Sequence, residues 1–459
     1  MTLYKSLENK KVLVLGMARS GYSVTKLLLK QGAIVTLNDK NEIIDEHKLK
    51  ALEAAGVKII TGAHPLSLLA PTPDLIIKNP GIPYTLPLLE KAAALDIPII
   101  TEVELAAALL PIPIIGITGS NGKTTTCELT AAILRQYFSY HHVYLVGNIG
   151  VPLSEIVYDV KKDDHVVTEL SSFQLAGSPT LHPHIAAITN IYSAHLDYHG
   201  TQEAYEAAKF HMIENQTEQD YIIFNDDLAQ MREKISQHTK AQLVPFSRQK
   251  VVEEGAYILD GWIYFQKERI LPCECVQLPG LHNLENVLVA TAIAKLSGVS
   301  NDAIMVAVSE FHGVKHRTQF VAKIDDRTYY NDSKATNTQA TIQALRGFQT
   351  PLVLIAGGLD RGNDMLELIP EFKKYVKALV TFGQTSDKMA HLGQQAGVKA
   401  IYTCDTVAQA VKKATEISDK GDIILLSPAN ASWDQYQTFE QRGDDFIRSV
   451  EHLKQKEGK

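Results

Sequence analysis

The sequence predicts an α/β protein of three domains: a Rossmann-like N-terminal domain, a central domain of the P-loop ATPase type and a Rossmann-like C-terminal domain. Three observations lead there. The chain has 459 residues, and at roughly 150 residues per domain about three are expected. Short β-branched apolar runs alternate with helix-period segments, as in parallel strands covered on both faces. Glycine-rich turns join strand to helix after Leu15 and Ile117, the kind of place where open α/β sheets bind ligands. Hydrophobic residues make up 45% and charged residues 21%, enough apolar material for real cores.

The first domain is expected over residues 1–104. Lys11-Val-Leu-Val-Leu15 reads as a buried parallel strand that stops at Gly16. After Gly21, Val24, Leu27, Leu28 and Leu29 suit a helix ended by Gly32. Ala33-Ile-Val-Thr-Leu37 is the second strand, closing at Asn38-Asp39, so the segment is one βαβ unit. Asp74-Leu-Ile-Ile-Lys78 and Ile97-Pro-Ile-Ile100 read as further strands. The second domain is expected over 105–314, with Leu110-Pro-Ile-Pro113 as a linker near its start. Ile114-Ile-Gly-Ile117 is a strand, followed by a glycine loop and a helix from Thr124. Strands are expected at 143–146, 165–168, 185–189 and 221–224, and residues 257–265 and 268–275 as an antiparallel hairpin with Asp260-Gly261 at its turn. A helix follows Gly280. The third domain is expected over 315–459, with strands at 328–331, 351–356, 378–382, 400–402 and 422–426.

Net charge is -7, which argues against general nucleic-acid or anionic-membrane binding. Four cysteines, Cys127, Cys273, Cys275 and Cys404, are too few for a disulfide framework and fit a reducing compartment. The opening MTLYKSLENKK lacks the apolar core of a secretory signal, and no apolar run approaches the roughly 20 residues of a membrane span. A cytoplasmic protein without membrane insertion is expected.

Gly116-Ile-Thr-Gly-Ser-Asn-Gly-Lys-Thr124 lies between a strand and a helix, the context a phosphate loop requires. Glycines let backbone N–H groups approach phosphate oxygens, and the helix N-terminus adds partial positive charge. Lys123 can reach terminal phosphates and Thr124 can ligate Mg²⁺. The strict pattern has its first glycine at position 117, where this chain has Ile. The first turn, Gly16-Met-Ala-Arg-Ser-Gly21, resembles a dinucleotide fingerprint, with Asp39 near the place of the ribose-binding acid. Ala18 replaces the glycine that a pyrophosphate needs, which counts against a nicotinamide oxidoreductase. Glu169 ends a strand beside the phosphate loop and can hold Mg²⁺ or serve as a helix N-terminal acid. His195 and His199 have a spacing seen in zinc sites, but they follow a strand into a loop and lack an evident third ligand. Cys273 and Cys275 share a face of an expected strand, a chance pair. Lys209, in Tyr205-Glu-Ala-Ala-Lys-Phe, reads by itself as a surface lysine. The strand-end loops Asn331-Asp-Ser-Lys-Ala-Thr-Asn337, Gly357-Gly-Leu-Asp-Arg-Gly362 and Ser427-Pro-Ala-Asn-Ala-Ser-Trp-Asp434 suit substrate contacts or ordinary solvated turns.

Taken together the motifs resemble the Mur ligase family. They are Thr118-Gly-Ser-Asn-Gly-Lys-Thr-Thr125, Gly147-Asn-Ile-Gly150, Glu169-Leu-Ser-Ser172, Thr189-Asn190 with His195-Leu-Asp197, Lys209, Gly280-Leu-His-Asn-Leu-Glu-Asn286 and His316-Arg317. They stand in the family's order over most of the chain, and the departure at position 117 is itself a family feature. The loop 331–337 and the stretch from Ser427 through Phe439-Glu-Gln-Arg-Gly443 resemble the members that add D-glutamate. The resemblance implies an ATP-dependent amide ligation of D-glutamate to UDP-N-acetylmuramoyl-L-alanine through an acyl phosphate, with two Mg²⁺ ions and a monomeric enzyme. It implies that Gly119, Ser120, Asn121, Gly122, Lys123, Thr124 and Thr125 cradle ATP phosphates, with Asn283, Asn286, Arg317 and Asp332 on the nucleotide. It implies Thr124, Glu169, His195 and Lys209, the last as a carbamate, around Mg²⁺. Arg19, Ser20, Asp39, Lys40, Asn79 and Asn148 would hold the UDP-sugar. Lys334, Thr336, Arg361, Ser432 and Phe439 would position D-glutamate, with Lys123, Glu169, His195, Lys209 and Lys334 serving catalysis. Two positions depart from relatives: Arg361, where some carry Lys, and Trp433, where a smaller apolar residue occurs. Sister ligases with another acceptor, and a folylpolyglutamate synthase, share the expected ATP site and differ in the third domain.

Overall fold

The computed structural model describes residues 6–42, 46–192, 194–278 and 280–457, without the side chains of Glu46, Asp197 and 455–457. The opening residues 1–5, part of the stretch read for a signal, lie outside this set, as does the Asp197 side chain. Two compact units form: Met1–Cys275 with Glu285–Val308, and Val276–Leu284 with Ser309–Lys459. They carry three sheets.

The first sheet uses β1 (Lys11–Leu15), β2 (Ile34–Asp39), β3 (Lys58–Thr61), β4 (Leu75–Lys78) and β5 (Ile99–Ile100). All pairs are parallel, in the order β3-β2-β1-β4-β5. Val12 and Val14 bury one face of β1 under the helix Arg19–Lys30, and Leu13 and Leu15 bury the other. Burial on both faces is why β1 and β4 read as unbroken apolar runs. The edge strand β3 was not expected: Lys58 and Thr61 are exposed and only Ile59 and Ile60 mark it.

The second sheet comprises β6 (Ile115–Thr118), β7 (Val143–Gly147), β8 (His165–Glu169), β9 (Ile185–Ile188), β10 (Tyr221–Asn225), β11 (Gln242–Ser247), β12 (Ala256–Leu259), β13 (Trp262–Phe265) and β14 (Glu268–Pro272). Its order is β14-β13-β12-β11-β10-β9-β6-β8-β7. The expected hairpin is a three-stranded meander, since Gln266 and Lys267 adopt positive φ and make a second turn after Asp260-Gly261. Residues Cys273–Cys275 are a short 3-10 turn, not a strand. Pro272 ends the ladder because it has no N–H to donate. One continuous core runs from the first sheet into the second, through Leu105, Ala106, Ile114, Leu153 and Leu170. Buried acids bind the same seam: Glu102 accepts the Ser154 N–H at 2.5 Å, and Glu104 accepts Thr180 through both its N–H and hydroxyl.

The other unit holds β15 (Gln319–Ile324), β16 (Arg327–Asn331), β17 (Leu352–Gly357), β18 (Val376–Phe382), β19 (Ala400–Cys404) and β20 (Ile423–Leu426). The order is β15-β16-β20-β17-β18-β19, parallel except for β15 at its edge. The strand β15 was missed because its residues are mostly half-buried and Lys323, Asp325 and Asp326 make its end look like solvated loop.

Candidate active site

Register brings the carboxyl ends of three strands level. Ile117 of β6 lies opposite Glu169 of β8, and Thr118 lies opposite Ile188 of β9. The residues that follow, Gly119 to Gly122 and Thr189-Asn190, therefore meet at one edge. Asn190 accepts the Asn121 N–H at 2.9 Å through Oδ1, and its backbone carbonyl accepts the Ser120 N–H at 2.9 Å. Thr189 donates to the Asn121 carbonyl at 2.7 Å. Gly122 has φ +83°, and a Cβ there would collide with the Asn286 amide, so the loop needs glycine both for its turn and for this approach. Asn286 also accepts from the Thr126 hydroxyl at 3.2 Å. The helix Lys123–Phe138 points its N-terminus at this loop, leaving the environment an anion favours. The Lys123 ammonium folds back over the loop, donating to Gly119 O at 2.7 Å and Ser120 O at 3.0 Å. Ser120 is held by Tyr192 and by the Tyr205 hydroxyl at 2.8 Å.

Lys209 is no surface lysine. It is 1% exposed, under the loop, with its amine 2.9 Å from Gly119 O and 3.4 Å from Thr118 Oγ1. Burial, with a contribution from the Lys123 charge, drives its pKa down to about 6. Glu169 is 1% exposed. Its Oε1 accepts from Asn148 at 2.7 Å, while Oε2 has no hydrogen-bond partner among the described residues. Thr124 is buried at the head of the helix. His195 caps the short helix Leu196–His199 with φ 55°, its ring against Phe173. An orphaned buried carboxylate oxygen at the end of the strand paired with the one that leads into the glycine loop fits a hard oxygen-seeking cation such as Mg²⁺. Among the described residues no three His, Cys, Asp or Glu side chains gather into a metal group.

The first sheet makes a second strand-end cluster. Asp39 accepts the N–H groups of Met17 at 2.7 Å and Asn41 at 2.9 Å. Asn79 approaches Ser20 at 3.4 Å. Arg19 and Lys40 follow or flank these residues and are exposed. Asn148, expected with this set, donates to Glu169 from both its backbone N–H and its side-chain amide. Sequence reasoning passed over Lys78, 1% exposed at the end of β4. A lysine closing an otherwise apolar buried strand is the signal that marks it.

In the other unit, Asn331 of β16 and Ile355 of β17 both lie beside Leu426 of β20, so the three loops read from sequence gather at one sheet edge. Asp332 is buried, accepts from Thr318 N and the Ser427 hydroxyl, and is pushed up to about 7 by burial. Arg317 lies close enough to oppose that shift. The Lys334 N–H binds His316 O at 3.0 Å, its ammonium lies 5.9 Å from the Phe439 ring centre, and Thr336 N binds Lys334 O. Ser432 is 1% exposed and its hydroxyl has no partner among the described residues. Arg361 stacks its guanidinium 5.0 Å from the ring centre of Trp433, which is 65% exposed. Asn283 is buried at 8% exposure, with its N–H on Gly280 O. Arg442, missed as a single residue, is fully buried and fastens two loops, donating to Ser333 Oγ and O and to Asn430 O. Gly443 follows because any side chain there would strike the His316 ring.

Parallel α/β sheets with a phosphate loop, a buried lysine beneath it and a second polar strand-end site define a P-loop enzyme with flanking nucleotide-fold domains. This chain belongs to the Mur ligase family. Residues 10–101 match the Mur ligase MurD-like N-terminal domain, 117–294 the Mur ligase middle domain and 316–430 the Mur ligase glutamate ligase domain. The chain is 52% identical over 446 residues, 97% of its length and 96% of the relative's, to UDP-N-acetylmuramoylalanine--D-glutamate ligase of Lacticaseibacillus casei. The proteins of the same name in Enterococcus hirae and Bacillus cereus are 50% and 49% identical, covering 97% and 99% of this chain and 97% and 100% of theirs. Among solved structures, UDP-N-acetylmuramate-alanine ligase MurC of Thermotoga maritima matches with TM-score 0.56 at 18% identity, covering 97% of this chain and 100% of that one. The MurF ligase of Thermotoga maritima in complex with ADP matches with TM-score 0.56 at 16% identity, over 99% and 100%. These two likenesses are of fold.

Proposed function

We propose that this chain joins D-glutamate to UDP-N-acetylmuramoyl-L-alanine at the expense of ATP, a cytoplasmic step in building peptidoglycan precursors. The observation that carries the reading is the buried amine of Lys209 under a phosphate loop, in a chain about half identical, end to end, to D-glutamate ligases. Residues 1–104 take the sugar nucleotide, 105–314 the ATP and 315–459 the amino acid.

A carboxylate is a poor electrophile. Transfer of the γ-phosphoryl group to its oxygen gives an acyl phosphate and ADP; the D-glutamate amine then adds to the carbonyl carbon, and the tetrahedral adduct expels phosphate. The protein's part is positioning and charge neutralisation. Gly119 to Thr125 offer N–H groups and the Thr124 hydroxyl to the phosphates, and Lys123 exchanges its loop carbonyls for phosphate oxygens. Asn283, Asn286, Arg317 and Asp332 contact the nucleotide. Mg²⁺, when bound, supplies positive charge against the phosphate oxygens, and Thr124, Glu169, His195 and Lys209 are the residues that would hold two such ions. A neutral Lys209 amine adds to CO₂, loses a proton and becomes an anionic carbamate; a pKa near 6 keeps the amine neutral at physiological pH. Arg19, Ser20, Asp39, Lys40, Asn79 and Asn148 hold the sugar nucleotide. Lys334, Thr336, Arg361, Ser432 and Phe439 hold D-glutamate, with the Arg361 cation facing its carboxylates.

Hydroxylamine trapping tests the reaction type. With ATP, Mg²⁺ and UDP-N-acetylmuramoyl-L-alanine but no D-glutamate, hydroxylamine displaces phosphate and leaves the sugar-nucleotide hydroxamate. Failure to form hydroxamate, in enzyme that turns over with D-glutamate, refutes the acyl phosphate.

A further inference from the structure

The buried Lys78 amine meets three acceptors. Its amine lies 2.9 Å from Ile82 O, 3.2 Å from Pro80 O and 3.1 Å from the Tyr198 hydroxyl, with the Tyr84 ring centre 4.4 Å away. Tyr198 in turn donates to Pro80 O at 3.0 Å, with Ile82 O at 3.3 Å. Residues 79–82 are the loop that carries Asn79. Tyr198 belongs to the short helix whose cap is His195, and the N–H groups of Tyr198 and His199 both bind His195 O, at 3.1 and 3.0 Å. Phe173 packs edge-on against both the Tyr198 and the His195 rings. His195 sits at φ 55°, a conformation that persists only when its surroundings impose it. An apolar contact would join the two loops without burying a polar amine; an amine held by three acceptors also fixes their angle.

We propose that Lys78 and Tyr198 are positioning residues that tie the Asn79 loop to the His195 turn, so that sugar-nucleotide binding and Mg²⁺-nucleotide binding reinforce each other. This rests on the assignments of Asn79 and His195 made above. Neither residue needs to touch a reacting atom.

The test is calorimetric binding of UDP-N-acetylmuramoyl-L-alanine to the full chain, with and without Mg²⁺ and a non-hydrolysable ATP analogue. Wild type should bind the sugar nucleotide more tightly in the presence of the Mg²⁺-nucleotide. Tyr198→Phe and Lys78→Met should each cut that tightening about tenfold, the scale of one buried hydrogen bond lost. The double variant should lose no more than either single one, because both break one tie. Tyr198→Phe keeps ring packing, so it serves as the test if Lys78→Met does not fold. An unchanged ratio in Tyr198→Phe, or a ratio of one in wild type, overturns the inference while leaving the ligase reading intact. Wild type that binds no sugar nucleotide overturns both.

Discussion

Replacing Lys209 with Met should stabilise the protein near neutral pH while destroying its activity. The amine is pulled from 10.5 to about 6, chiefly by burial. Between those values the unfolded chain carries a proton on this lysine that the folded chain has shed. Stability therefore rises with pH across that window, and the full cost of burying the lysine is felt below pH 6. At pH 7 the cost is about 5 kcal/mol, from about 1.4 kcal/mol per pH unit. Met keeps the aliphatic bulk and forfeits hydrogen bonds to Gly119 O and Thr118 Oγ1, worth about 1 kcal/mol each. Gly119 O keeps its bond from Lys123, so no acceptor is stranded there. The net expectation is a gain of about 3 kcal/mol at pH 7 that shrinks to nothing near pH 9. Urea unfolding in CO₂-free buffer, followed by the fluorescence of Trp262 in β13 with Trp433→Phe as background, measures it. Added bicarbonate should stabilise the wild type and not the variant. A Met variant less stable than wild type at pH 7, with a gap that does not vary with pH, would mean a charged, well-paired lysine and would refute the reasoning.

Three further outcomes follow from the same geometry. Lys123→Ala should abolish turnover while its circular dichroism and melting stay those of the wild type; normal ligation by that variant would remove the phosphate-loop assignment. Gly122→Ala should raise the KM for ATP by about tenfold or more, since φ +83° and the Asn286 amide both oppose a Cβ; steady-state kinetics with ATP varied decide it, and an unchanged KM contradicts the fit. Arg442→Met should cost about 3–5 kcal/mol in urea unfolding, because Ser333 and Asn430 lose charged donors inside a buried site. A loss below about 1 kcal/mol would mean those acceptors find other donors.

Strands buried on both faces were legible, because β1, β4, β6 and β17 present unbroken apolar runs ended by glycine or polar residues. Two edge strands, β3 and β15, were not, because a strand half open to water looks like the loops beside it; β11, inside its sheet, was passed over as well. The strand, glycine loop and helix at residues 115–138 were legible from local spacing. The burial of Lys209 was not: its helix reads as amphipathic and polar, and what covers the amine is a carbonyl 90 residues earlier. Arg442 is hidden for the same reason, satisfied by backbone carbonyls that no side-chain pattern announces. Asn148 shows the converse, a polar residue visible in its motif whose partner, the Glu169 carboxylate, only the register of β7 and β8 reveals.

The identity of the amine decides which ligase this chain is. The direct measurement supplies ATP, Mg²⁺ and UDP-N-acetylmuramoyl-L-alanine with D-glutamate, L-glutamate, L-lysine or diaminopimelate in turn, follows phosphate release, and identifies each product by mass. D-glutamate alone should give phosphate and a ligated product. Product with another amine in place of D-glutamate would contradict the roles given to Lys334, Thr336, Arg361, Ser432 and Phe439, and phosphate release with none of them would contradict the ligase itself.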